Sequence, residues 1–172
     1  RDTCYACVVR CKRVVEIKEG AYKVDPKFGG AEYETLGTFG SYCGINNLAA
    51  INLANQLCNE YAADTIAAGA TIAFAMECRQ HGVLSDPDLS LAWGDGASIV
   101  GLIEKIAMRE GIGDVLADGT HWAAERIGKG AQAFAHNNIK KHEQLPLKLG
   151  MLNPVYYLMY STGEKINITQ IE

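Results

Sequence analysis

Helix boundaries are written into this chain at short intervals, and they constrain its fold more than any other feature. Asn46 or Asn47 is placed to N-cap a helix running to about Tyr61, with Leu48, Ile51, Ala54, Leu57 and Cys58 as its apolar stripe. Asp64 caps a second, from Thr65 to His81, and Gly82 supplies its stop after Arg79 and His81. Gly69, Ala70, Ala73 and Ala75 keep that helix slim, so another backbone can approach it closely. Asp95 or Ser98 begins a third, with Ile99, Leu102, Ile103 and Ile106 inward and Gly111 closing it. Asp114 opens a short turn, and Thr120 to Ile127 forms a last helix ended by Gly128-Lys129-Gly130. Such caps and stops recur roughly every 18–30 residues without sequence repetition, and the expected class is mainly α, a helical bundle-like domain.

Composition narrows the function classes. The 172 residues carry 16 Lys and Arg against 20 Asp and Glu, a net charge of −4, with no cationic run. Nucleic acid is therefore not an expected partner, since phosphate neutralisation needs clustered cations. The most apolar stretch, Thr65 to Met76, is Ala-, Gly- and Thr-rich and falls short of the roughly 18–20 residues of a membrane span, so it reads as a buried helix. With no secretory signal, the expectation is a soluble cytoplasmic protein. Chemistry begins at Cys4, with no Met at position 1, as in a piece of something longer.

Three of the six cysteines crowd into one segment, Cys4-x2-Cys7-x3-Cys11, beside Arg10, Lys12 and Arg13, whose field favours thiolates. Three readings compete. An iron–sulfur cluster takes cysteine-only ligation and can draw its fourth ligand from far away in sequence. Structural zinc usually pairs two short ligand elements, and no second pair follows. Inert thiols clustered by chance are the third. After the cysteines, Val14–Ile17 and Tyr22–Val24 flank Lys18-Glu19-Gly20-Ala21, the pattern of a short N-terminal β-hairpin. A Gly-rich passage then leads to Ala31-Glu32-Tyr33-Glu34, where an isolated loop Glu reads first as solvated surface.

These residues carry a resemblance. The segments Asp2–Arg13, Ala31–Leu36, Cys58–Tyr61, Asp64–Ile66, Thr71–Cys78, Trp93–Gly96, Leu102–Ala107, Arg109–Gly119 and Ile127–Gly130 together resemble the aldehyde ferredoxin oxidoreductase family, over roughly residues 4–136. The family comprises tungsten-pterin, sometimes molybdenum-pterin, enzymes with a [4Fe-4S] cluster. The resemblance implies that Cys4, Cys7 and Cys11 are three metal ligands of that cluster. It implies that Glu34 is the family's Glu beside the metal, a proton-transfer group in aldehyde oxidation. It places Asn59, Ala62 and Ala63 where members carry the pterin-binding pattern D-x-x-G-L, with Asn for Asp and Ala-Ala for Gly-Leu. Where some members hold a metal at a dimer interface with E-x-x-H, this chain reads Leu53-Ala54-Asn55-Gln56, and no such metal is expected.

Two departures are larger. The family's amino-terminal pterin-binding domain would precede Arg1, and nothing after Ala135 matches the segment carrying the fourth cluster cysteine. Cys43, Cys58 and Cys78 are candidate substitutes, ranked below plain packing because they sit on or beside helices. The expected organisation is a helical cluster-bearing domain at 1–138 and a divergent apolar tail at 139–172, truncated relative to the family. The implied activity is aldehyde oxidation to a carboxylic acid with ferredoxin as electron acceptor, by a chain inactive alone. The implied partners are ferredoxin and the missing pterin domain or partner chain, and an apolar face left bare by that absence would favour homo-oligomers. A non-catalytic electron-transfer module and an inert helical fragment are the alternatives.

Overall fold

The computed structural model describes residues 2–85 and 91–144, so the expected apolar tail lies outside the described residues from position 145 onward. The described part is mainly α. Six elements follow one another: α1 (Tyr33–Thr35), which runs on without a break into a π-helix at Leu36–Tyr42, α2 (Leu48–Glu60), α3 (Thr65–Gln80), α4 (Gly96–Met108), α5 (Ile112–Leu116) and α6 (Thr120–Ile127). Among the described residues, strand is limited to one antiparallel pair, β1 (Asn138–Ile139) and β2 (His142–Glu143).

The caps are side-chain hydrogen bonds. Asn47 accepts from Ala49 and Ala50, Asp64 from Ile66 and Ala67, and Asp95 from Ala97, each satisfying amides that a helix start leaves unpaired. Asn47 rather than Asn46 and Asp95 rather than Ser98 do this work, while the Ser98 hydroxyl donates to Asp95. α4 stops before Gly111: Arg109 takes the left-handed conformation at φ 54°, held by its guanidinium against Asp114 and Asp118. Asp114 lies inside α5 rather than opening a turn, with its carboxyl held below the ordinary range by Arg126 and then Arg109. The N-terminal hairpin is reduced to a single bridge, Ile17 with Val24, bonded in both directions at 3.0–3.1 Å.

α3 is the axis of the core. From Gly69 to Met76 every residue is buried, the pattern of a helix packed on all sides. Its small residues let neighbours come close. A Cβ at Gly69 would lie 2.6 Å from Thr38 Cβ, so the π-helix sits directly on the α3 backbone. Phe39, Phe74, Ile51, Ile72, Met76 and Leu102 fill the space between. Leu48, expected on the inner stripe of α2, is 63% exposed because the first turn of that helix overhangs the core. Trp93 and Trp122 are likewise half-exposed.

The β1–β2 pair closes the far side. Glu143 is buried and accepts from the Thr120 amide at 2.7 Å and the Thr71 hydroxyl at 3.5 Å, so a carboxylate finishes the N-terminus of α6.

Candidate functional site: a cysteine loop, a buried carboxyl and a turn

The cysteine segment is a loop tied at its neck. Asp2 and Lys12 form an antiparallel bridge, the Asp2 amide donating to the Lys12 carbonyl at 2.8 Å. Inside it, the Cys7 amide donates to the Cys4 carbonyl at 3.0 Å, and the Thr3 hydroxyl to the Cys7 carbonyl at 2.6 Å. Ala6 and Arg10 adopt positive φ, 56° and 51°, which bends the chain twice within five residues. Cys4 and Cys11 are exposed and Cys7 partly buried. Among the described residues no three His, Cys, Asp or Glu side chains converge on a metal-binding geometry, so the loop gathers the thiols without focusing them. Its donor set is soft sulfur, which suits an iron–sulfur centre lacking one ligand.

Gly29 and Gly30 dock this loop on the rest. The Gly30 amide donates to the Arg13 carbonyl at 2.9 Å. A Cβ on Gly29 would lie 2.8 Å from Lys12 Cε, and one on Gly30 2.8 Å from Val15 Cγ2. From there the Ala31 amide donates to Asn52 Oδ1 at 3.0 Å, pinning the chain to α2 just before Glu34.

Glu34 is not solvated surface. Its Oε2 is buried with no hydrogen-bond partner, and desolvation pushes its carboxyl above the ordinary range. An orphaned buried acceptor at the head of a π-helical segment is the kind of irregularity found at functional sites. Tyr42, at the other end of that segment, has its phenol pushed up by burial and then by the Glu34 charge.

The turn after α2 is brought to the same place. The Thr35 and Thr65 hydroxyls meet at 2.8 Å, and Thr38 donates to the Thr65 carbonyl at 3.1 Å. That ties the Glu34 helix to residues 59–64. Asn59 is exposed and spends its amide on the Asn55 carbonyl at 2.7 Å. Ala62 holds φ 54°, and the Ala63 amide returns to the Cys58 carbonyl at 2.8 Å. The three regions singled out in the sequence are thus linked through Gly29–Gly30 and the Thr35–Thr65 contact. Those two threonines carried no signal beforehand, since hydroxyl pairs have no sequence signature.

Cys43, Cys58 and Cys78 lie in the hydrophobic core. Burial raises their thiols to about 12, 12 and 11, with Asp64 adding to the effect at Cys58 and Glu77 at Cys78. They are protonated packing residues in this fold.

The helical core carries the sequence of an oxidoreductase family. The family model for aldehyde ferredoxin oxidoreductase, domains 2 and 3, matches residues 1–165, and the chain belongs to that family. A tungsten-containing aldehyde ferredoxin oxidoreductase of Pyrococcus furiosus is 42% identical over 132 residues, 73% of this chain and 20% of the relative. The WOR-like subunit of an aliphatic sulfonate oxidoreductase from the same organism is 34% identical over 127 residues, 73% of this chain and 20% of the relative. Among solved structures, the active site complex BamBC of benzoyl coenzyme A reductase, in complex with 1,5-dienoyl-CoA, is 44% identical with a TM-score of 0.77, covering 99% of this chain and 25% of that one. The chain spans about a fifth of the length of the curated relatives it matches. No helix among the described residues is long and apolar enough to cross a membrane.

Proposed function

We propose that this chain is the cluster-bearing helical part of a tungsten- or molybdenum-pterin oxidoreductase that oxidises aldehydes to carboxylic acids. Cys4, Cys7 and Cys11 supply three cluster ligands, and a segment outside residues 1–144 or another chain supplies the fourth. The pterin-bound metal would take up the two electrons of the reaction, RCHO + H2O → RCOOH + 2 H+ + 2 e−, and the cluster would pass them to ferredoxin. Glu34 handles a proton: its desolvated carboxyl, ionised, accepts one at Oε2 and returns it to solvent. The pterin would lie against the turn at Asn59, Ala62 and Ala63, where Asn59 stands in place of the family's Asp and the Ala62 and Ala63 amides are already spent on the Asn59 and Cys58 carbonyls.

The observation that carries this reading is the buried, unpartnered Glu34 Oε2, on a segment joined to the cysteine loop through Gly30 and to the 59–64 turn through Thr35. A soft-metal loop with no adjacent proton acceptor would favour a plain electron-transfer module. Anaerobic purification followed by assay of iron, acid-labile sulfide, zinc and tungsten tests it. About four iron and four sulfide per chain are expected; zinc in their place, or no metal with all thiols free, overturns the cluster. Adding a chain that carries the pterin domain is expected to bring tungsten and aldehyde oxidation.

A second reading rests on the solved neighbour, which matches nearly the whole chain at 44% identity. On that reading the same cysteine loop and Glu34 serve reduction of a coenzyme A-bound aromatic ring. The assembled protein distinguishes the two by oxidising an aldehyde or by reducing benzoyl coenzyme A.

A further inference from the structure

A cavity of about 170 Å³ opens between the C-terminal half of α3, the end of the π-helix and the chain after α6. None of Cys4, Cys7, Cys11, Glu34 or the 59–63 turn lines it. Its walls are four aromatic rings, Tyr42, Phe74, Trp93 and Phe134. Two are fixed from behind: the Trp93 indole N–H donates to Gln80 Oε1 at 2.5 Å, and Phe134 stacks on His81 with centroids 4.7 Å apart.

Beside the Tyr42 hydroxyl and the His136 imidazole, the polar lining holds an amide and a carboxylate. Asn137 Nδ2 donates to the Ala70 carbonyl at 2.9 Å, which sets the amide's orientation, because the flipped amide would put oxygen against oxygen. Its Oδ1 is left buried and without a partner. The Glu77 carboxylate lines the same space. Aromatic faces are themselves negative at their centres. A box of rings with a carboxylate and an unpaired amide oxygen favours a positively charged hydrogen-bond donor.

We propose that this cavity binds a small primary organic cation, an alkyl- or arylammonium. Its N–H groups donate to Asn137 Oδ1 and Glu77, and its hydrocarbon lies against the rings. An aldehyde brings only an acceptor and would leave Asn137 Oδ1 unpaired, so the site is additional to the reading above and stands or falls apart from it. The volume suits a ligand of a few carbons rather than the larger pockets of drug-sized molecules.

The test is calorimetric titration of the full chain with n-butylammonium chloride at about pH 8, where an alkylammonium keeps its charge. Saturable binding in the millimolar range is expected, with n-butanol at least tenfold weaker and Glu77→Gln at least tenfold weaker at an unchanged melting temperature. If Glu77→Gln unfolds early, Trp93→Ala at the half-exposed rim substitutes for it and is expected to weaken binding at least threefold. No saturable heat with the wild type, equal affinity for butanol, or full binding by a folded Glu77→Gln overturns the proposal.

Discussion

At the scale of the residue, Glu34 shows how position overrides composition. A lone Glu after a Gly-rich stretch reads as surface, yet its Oε2 is buried without a partner. Burial raises its pKa from 4.5, so the fold favours the protonated form. That contribution is complete below the unfolded value and is lost as the pH climbs through the raised folded one. Glu34→Gln, neutral at every pH, is therefore expected to melt above the wild type at pH 7, with the difference vanishing below about pH 4.5 in a pH series of thermal melts. In the assembled enzyme the same change should lower kcat by about 10²–10⁴ if Glu34 moves the proton. Ala62 gives the same sign for a different reason. It sits at φ 54°, where a Cβ costs about 1 kcal/mol, so Ala62→Gly is expected to stabilise by about 0.5–1 kcal/mol in urea unfolding. A loss of stability there would mean that the methyl packs better than the strain costs.

At the scale of the element, what was legible in the sequence and what was not divide along physical lines. Asn47, Asp64 and Asp95 were readable because an N-cap is a local bargain between one side chain and amides two or three residues away. The end of α4 was not, because Arg109 takes the left-handed turn that glycine usually takes, and its partners Asp114 and Asp118 are held there by another helix. The π-helix was also invisible. Its extra residue per turn is stabilised by contacts with α3, chiefly where Gly69 leaves no side chain. Gly69→Ala tests this directly. Helix propensity alone favours Ala by about 1 kcal/mol. A Cβ 2.6 Å from Thr38 Cβ should reverse that to a net loss of about 1–3 kcal/mol in denaturant unfolding. A gain would show that the two helices are not in contact at that depth.

At the scale of the whole molecule, the six cysteines form two populations that the sequence separated only by spacing. Cys4, Cys7 and Cys11 ride on a tied loop at the surface, next to fully or largely exposed Tyr5, Val8 and Val9. Cys43, Cys58 and Cys78 are core thiols whose burial suppresses ionisation. Attack on a disulfide reagent requires thiolate and access together. In the metal-free folded chain, a thiol-counting titration at neutral pH should therefore give three fast equivalents, and three more only on unfolding. Reconstitution with iron and sulfide should silence the fast three and leave the slow three unchanged, because a cluster on the loop does not touch the core. Six fast equivalents would mean that the helical core does not hold without the rest of its family's chain. Silencing of a core thiol by iron would move the fourth ligand inside this domain, which requires α2 or α3 to open. On the proposed reading, the exposed apolar loop and its unfocused thiols belong to a surface that protein beyond these residues completes. The slow class then measures whether this domain folds without that surface, and the fast class whether the loop can hold iron without it.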